Sequence, residues 1–290
     1  RLPRRLPRRL LDSPLRRLCG SVTPRARHAG ILEFGIGAFA GMAGSLVGMG
    51  GAFISLPMMT GVLKMSQHTA HATSLVAVAA CGAGGAIGFV SSNNVDWVAA
   101  LALAASGIVS ARIGAQFAGK MDGVALKKLF GVFNMMIAPS VILKSKILKS
   151  ASKDVEPSDA EVIIRKMLPM AGIGAITGGI SGLFGVGGGS ITVPAVAVVS
   201  DFSHYKVLGT SLAAMILPAL SGVYTHNQAG RILWKTAGPL AAGSAIGCFV
   251  GGRYIATGID EDVLRYIFFG LMLGIGWRTY SSARHATIFK

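Results

Sequence analysis

The sequence predicts an all-α polytopic membrane protein made of two inverted repeats, each with about four apolar helical segments and a glycine-broken, re-entrant first segment. Three observations lead there. Of 290 residues, 52% are hydrophobic and 14% charged, with a mean hydropathy of +0.59; soluble domains carry roughly 25% charged residues. The segment GMGGAFISLP at 48–57 returns as GVGGGSITVP at 185–194, an offset of 137 positions. The basic loops change sides between the two copies. Duplicated, glycine-interrupted apolar segments suggest a duplicated membrane protein whose halves build one site together.

The register of the duplication holds over most of the chain. Thr73-Ser74-Leu75 falls on Thr210-Ser211-Leu212, Gly85 on Gly222, Trp97 on Trp234 and Gly114 on Gly251. After one inserted residue, Asp122 and Leu126 meet Asp260 and Leu264. The expected divisions are an arginine-rich leader or tail (1–29), a first membrane repeat (30–143), a charged linker (144–166), a second repeat (167–280) and a C-terminal tail (281–290).

Apolar stretches in the first repeat run near 31–63, 69–91, 97–119 and 124–143. In the second they run near 168–199, 207–226, 233–256 and 263–280. A crossing needs about 20 helical residues, which fits the second and third stretch of each repeat. As one helix, 31–63 would extend about 50 Å at 1.5 Å per residue, against a hydrocarbon core of about 30 Å. The glycines at 48–51 divide it, and Pro57 and Pro194 each remove an N–H from the shorter second arm. Irregular backbone at that depth must lie against protein or a watered cavity, so both glycine motifs belong inside.

Loop charge sets orientation. The loop 91–96 has no basic residue, whereas the next carries Lys120, Lys127 and Lys128. In the second repeat the earlier loop has Arg231 and Lys235, and the later one has Asp260, Glu261 and Asp262 with Arg265. Basic loops stay inside, so the repeats are expected upside down relative to each other. The linker, with Lys144, Lys146, Lys149, Lys153, Arg165 and Lys166 against four acids, fits that orientation least well. Nine arginines between Arg1 and Arg27, with Asp12 as the sole acid, read either as an organellar transit peptide or as a basic tail that orients the protein. The first reading implies an organellar inner membrane.

A short helix starting after a glycine cluster presents unpaired N–H groups and the positive end of its dipole, a ready anion site. Two such ends from opposed repeats would hold a small anion without buried basic side chains. Candidate binding residues are Gly50, Gly51, Ser55 and Pro57 with Thr73 and Ser74, and Gly187, Gly188, Ser190, Thr192 and Pro194 with Thr210 and Ser211. The bland alternative is that the glycines serve close helix packing and the hydroxyls bond locally to backbone.

Other features carry less. Gly185-x-Gly187-x-Gly189 lacks the last glycine of a dinucleotide fingerprint, and no G-K-[ST] element supports ATP-driven transport. Arg112 and Arg253 read as anion attractors or as snorkelling residues near span ends. His68, His71 and His204 are open to an interfacial or a proton-coupling role. Cys19, Cys81 and Cys248 form no framework. Trp97 and Trp234 read as interface anchors. No catalytic residue, metal, cofactor or nucleic-acid partner is expected.

The paired G-x-G-G-[AG]…P segments, each followed by Thr-Ser-Leu, resemble the TauE/SafE sulfite exporter family over about residues 31–280. The resemblance implies a permease for sulfite, sulfonates and related small oxyanions, with protons or another gradient as the drive. It carries a site onto Gly50, Gly51, Pro57, Thr73 and Ser74, with Gly187, Gly188, Pro194, Thr210 and Ser211. Ala52-Phe53 stands where the second copy has Gly189-Ser190, so the site is expected to be asymmetric. The expected function is thus a secondary transporter of small sulfur oxyanions by alternating access. An anion channel of the same fold and a non-transporting membrane scaffold are the alternatives.

Overall fold

The computed structural model describes residues 29–147, 159–185, 187–200 and 202–288. The leader up to residue 28 and the linker section 148–158 lie outside the described residues, as do the readings placed on them. Regular structure among the described residues is helical: α1 Ala29–Val47, α2 Ala52–Gly61, α3 Gln67–Val90, α4 Trp97–Ala118 and α5 Gly123–Ile147, then α6 Asp159–Phe184, α7 Gly189–Val199, α8 His204–Ala214, α9 Ile216–Gln228, α10 Trp234–Val250 and α11 Glu261–Ile288. α6 starts inside the stretch expected as linker, and α11 runs past 280.

Both long first stretches break at their glycines. Gly51 caps α2 at φ 72° and Gly188 caps α7 at φ 71°, a left-handed conformation that glycine alone adopts without strain. A methyl group at Gly51 would strike the Ala40 carbonyl, and one at Gly188 would strike the Thr177 carbonyl. Each tip therefore folds back onto its own first arm. Gly51 also lies against Gly44, so α2 returns alongside α1 toward the side from which α1 came.

The first arm of each half packs on the third apolar stretch of the other. Gly37 meets Leu240, Gly41 meets Ser244 and Gly251 meets Ser45, which sets α1 and α10 side by side in the same direction. Gly174 on Leu103 and Gly182 on Ala111 do the same for α6 and α4. Small residues let these backbones touch, the packing that drives helix association where lipid supplies no hydrophobic force.

Corresponding helices of the two halves instead run antiparallel. Gly209 sits against Phe89, Gly85 against Leu212 and Gly222 against Leu75 along α3 and α8–α9. Gly131 on Tyr280 and Gly276 on Met135 repeat the pattern for α5 and α11.

Among the described residues, five helical segments are long and apolar enough to cross a membrane: 30–47, 67–90, 97–118, 167–184 and 204–228. The 67–90 and 204–228 windows are 72% buried and the other three 39–50%, so α3 and α8–α9 form the centre. Ser66 and Ser203 cap α3 and α8, each accepting from the backbone N–H three residues on.

Two departures from the sequence expectation have identifiable causes. The stretch 207–226 divides at Met215, because Pro218 supplies no N–H to the Ala214 carbonyl. The matching position of the first half is Cys81, and α3 there runs unbroken. The single inserted residue of the second copy falls where α10 passes into a π-helical turn, Gly251–Ile255, followed by a 3₁₀ turn at Ala256–Gly258. A π turn is the local form that one extra residue in a helix takes.

Candidate anion-binding site

The two glycine tips meet at the centre of the molecule. A side chain at Gly50 or at Gly187 would run into the same two residues, Val78 on α3 and Met215 at the α8–α9 kink. Val78 and Met215 are themselves counterparts at the 137 offset. Gly189, the first residue of α7, lies directly against the Gly48 carbonyl and Met49 of the other tip. The amino-terminal end of α7 and the glycine turn that leads into α2 are thus set close together in the interior.

Four duplicated hydroxyls tie this centre together. Ser74 Oγ donates to the Gly185 carbonyl at 2.8 Å, and Ser211 Oγ donates to the Gly48 carbonyl at 3.0 Å. Thr210 Oγ1 accepts from the Asp96 N–H at 3.0 Å, and Thr73 Oγ1 accepts from the Leu233 N–H at 3.4 Å. Each bond joins one half to the other, and all four hydroxyl residues are buried. They close carbonyls and amides that the glycine breaks and loop starts leave open. His71 adds a bond that has no counterpart, since Leu208 occupies the matching position. Its Nδ1 bonds to the Phe184 carbonyl, at the end of α6, and its Nε2 lies 2.7 Å from Gln67 Nε2.

The other sequence-derived candidates divide. Thr192 Oγ1 turns back to the Gly188 carbonyl at 3.1 Å, and Ser55 Oγ lies 3.4 Å from the Ala52 carbonyl. Ser190 Oγ, at the start of α7, is buried without a hydrogen-bond partner. Pro194 is buried with the tip helix, whereas Pro57 lines a separate cavity.

A small void opens beside the second tip. Thr177, Ser181, Gly187, Thr192, Met215 and Pro218 are among its lining residues, and its volume of about 10 Å³ is close to what one water needs. Ser181 Oγ is buried and unpartnered there. Thr177 and Ser181 have no hydroxyl counterparts in the repeat, because the first half carries Ala40 and Gly44 at those positions. Among the described residues, no charged side chain lines the void. Its polar side chains are the hydroxyls of Thr177, Ser181 and Thr192, the last of them in the first turn of α7.

The remaining candidates stand apart. Arg112 Nε donates to Ser221 Oγ at 3.1 Å, and its guanidinium lies 5.7 Å from the centre of the Tyr224 ring. Arg253 bonds Ser91 and Ser92, tying the loop after α3 to the π turn. At the opposite end Gly119 abuts the Arg231 side chain. Trp97 and Trp234 are exposed at the starts of α4 and α10. His204 is buried at the start of α8. Among the described residues no three His, Cys, Asp or Glu side chains gather as a metal site.

A multi-pass helical bundle with two interrupted helices meeting at its centre, around neutral polar groups, has the architecture of a membrane transporter. The chain belongs to the sulfite exporter TauE/SafE family, whose model matches residues 33–279. It is 24% identical over 261 residues to a probable membrane transporter protein of Xylella fastidiosa strain 9a5c, covering 87% of this chain and 97% of that one. It is 26% identical over 231 residues to the probable membrane transporter protein YunE of Bacillus subtilis, covering 74% and 85%. A probable membrane transporter protein of Methanocaldococcus jannaschii is 28% identical over 205 residues, covering 67% and 71%. No solved structure matches the chain.

Proposed function

We propose that this protein is a secondary transporter of small sulfur-containing oxyanions, such as sulfite or an organosulfonate, working by alternating access between two halves inverted in the bilayer. The observation that carries the reading is the meeting of the two glycine tips beside a hydroxyl-lined void. Backbone dipoles and hydroxyls suit a small anion that must also leave again, since a buried ion pair would hold it too firmly.

With room for about one water, the void represents a closed state. Substrate binding then requires the tips to separate, and the Met215 kink beside them is the natural place to yield. The antiparallel run of corresponding helices supports inversion, as does the pairing of the Lys120 loop with the Arg231 loop at one end. Protons are the proposed coupling ion.

The test is sulfite efflux from proteoliposomes under an imposed proton gradient, competed by sulfate, thiosulfate and taurine. Saturable flux that responds to the gradient supports a carrier. Ohmic current without coupling would replace it with a channel, and absence of any anion flux or binding would leave a scaffold.

A further inference from the structure

A second cavity, of about 170 Å³, lies away from the tips, where the end of α2 meets the first turn of α3, the start of α5 and the last third of α11. Thr60, Gln67, Lys127, Arg278 and Ser282 supply its polar lining, and Phe130 forms part of its apolar wall. Among the described residues, two cations line it and no carboxylate does. Lys127 Nζ donates to Ser282 Oγ at 2.8 Å, which joins α5 to α11 and leaves the serine proton free for another acceptor. Lys127, half-buried beside Phe130 without a counter-ion, is held unfavourably. Arg278 offers a fork of N–H donors, Lys127 a point charge, and the amino-terminal end of α3 a favourable dipole.

We propose that this cavity is a binding site for an oxyanion group of the sulfite, sulfate or phosphate type, taken up either as a free ion or as the phosphate of a lipid headgroup. α2 connects the cavity to the central tips. Its 10 residues span about 15 Å from the Gly51 tip to the Gly61 end at the cavity. For a free ion, the cavity is the station at which substrate is loaded from the face bearing Lys64 and Lys120; that role rests on the transport function proposed above.

The experiment uses the whole chain in nanodiscs of phosphatidylcholine, titrated calorimetrically with sulfite and with inorganic phosphate. Native mass spectrometry after addition of phosphatidylglycerol forms the second arm. Wild-type protein is expected to bind at least one of these probes. Arg278→Gln and Lys127→Gln should each weaken that binding at least tenfold, while Lys127→Arg and Gly188→Leu retain it. Arg278 is exposed, so its variant reports even where Lys127→Gln folds poorly. Binding of phosphatidylglycerol that free anions do not displace identifies a lipid phosphate as the occupant and overturns the loading role. Unaltered binding of every probe in the Arg278→Gln variant overturns the site. In proteoliposomes, loading predicts a KM about tenfold higher at one face with kcat retained. Cavity binding without any sulfur-oxyanion flux would instead overturn the transport reading alone.

Discussion

Ser74 on α3 donates its hydroxyl proton to the carbonyl of Gly185, 2.8 Å away on the other half of the molecule. Ser211 returns the same bond to Gly48. Each serine therefore holds the opposite repeat's tip, and removing one leaves a buried carbonyl without its donor. Ser74→Ala and Ser211→Ala are each expected to cost about 1–3 kcal/mol, seen as a lower thermal unfolding midpoint in detergent. A change no larger than that of Gln116→Ala, at an exposed position, would refute the clasp.

Gly51→Leu and Gly188→Leu should each abolish sulfite transport while the protein still inserts into the membrane. The new side chain meets the Ala40 or Thr177 carbonyl and forces an unfavourable left-handed residue. Gly172→Leu is the control, because nothing lies within 4 Å of a side chain placed there. Flux assays on membranes matched for protein content decide it, and normal flux in both tip variants rejects the central site.

Ser181 separates binding from folding. Its hydroxyl bonds nothing among the described residues, so Ser181→Ala should leave the unfolding midpoint unchanged. Losing one hydrogen bond to a charged ligand is worth roughly 1.5–3 kcal/mol, about a 10–150-fold rise in KM for sulfite. An unchanged KM would move the site away from the void.

Inversion is open to a labelling experiment. In a background with Cys19, Cys81 and Cys248 replaced by alanine, Ser91→Cys and Gly258→Cys should react with a membrane-impermeant maleimide from one face. Lys120→Cys and Gly230→Cys should react from the other. Labelling of Lys120→Cys and Gly230→Cys from opposite faces would end the inverted arrangement.

The break at residues 48–51 was legible because a glycine cluster divides a segment too long for one crossing. The second break followed from the repeat. The α8–α9 kink was written in Pro218, but the stretch around it reads as a continuous apolar run, and only the lost bond to Ala214 reveals the division. The hydroxyls at 73–74 and 210–211 stood out by their duplication, yet their partners lie more than 100 residues away and no local pattern names them. Thr177 and Ser181 carried no signal. They belong to one copy only, and a polar residue in an apolar helix looks the same whether it bonds its own backbone or faces a void.

The π turn at Gly251–Ile255 shows how the two copies have been free to differ. The extra residue is swallowed within a single loop of helix near the rim, so the next helix keeps its seat: Leu264 is as deeply enclosed as Leu126, its ancestral twin. Length changes at the periphery are thus insulated from the seam. The seam has only to preserve a handful of reciprocal hydroxyl bonds, leaving each copy room to specialise, one as a tightly closed partner and the other as the bearer of the pocket.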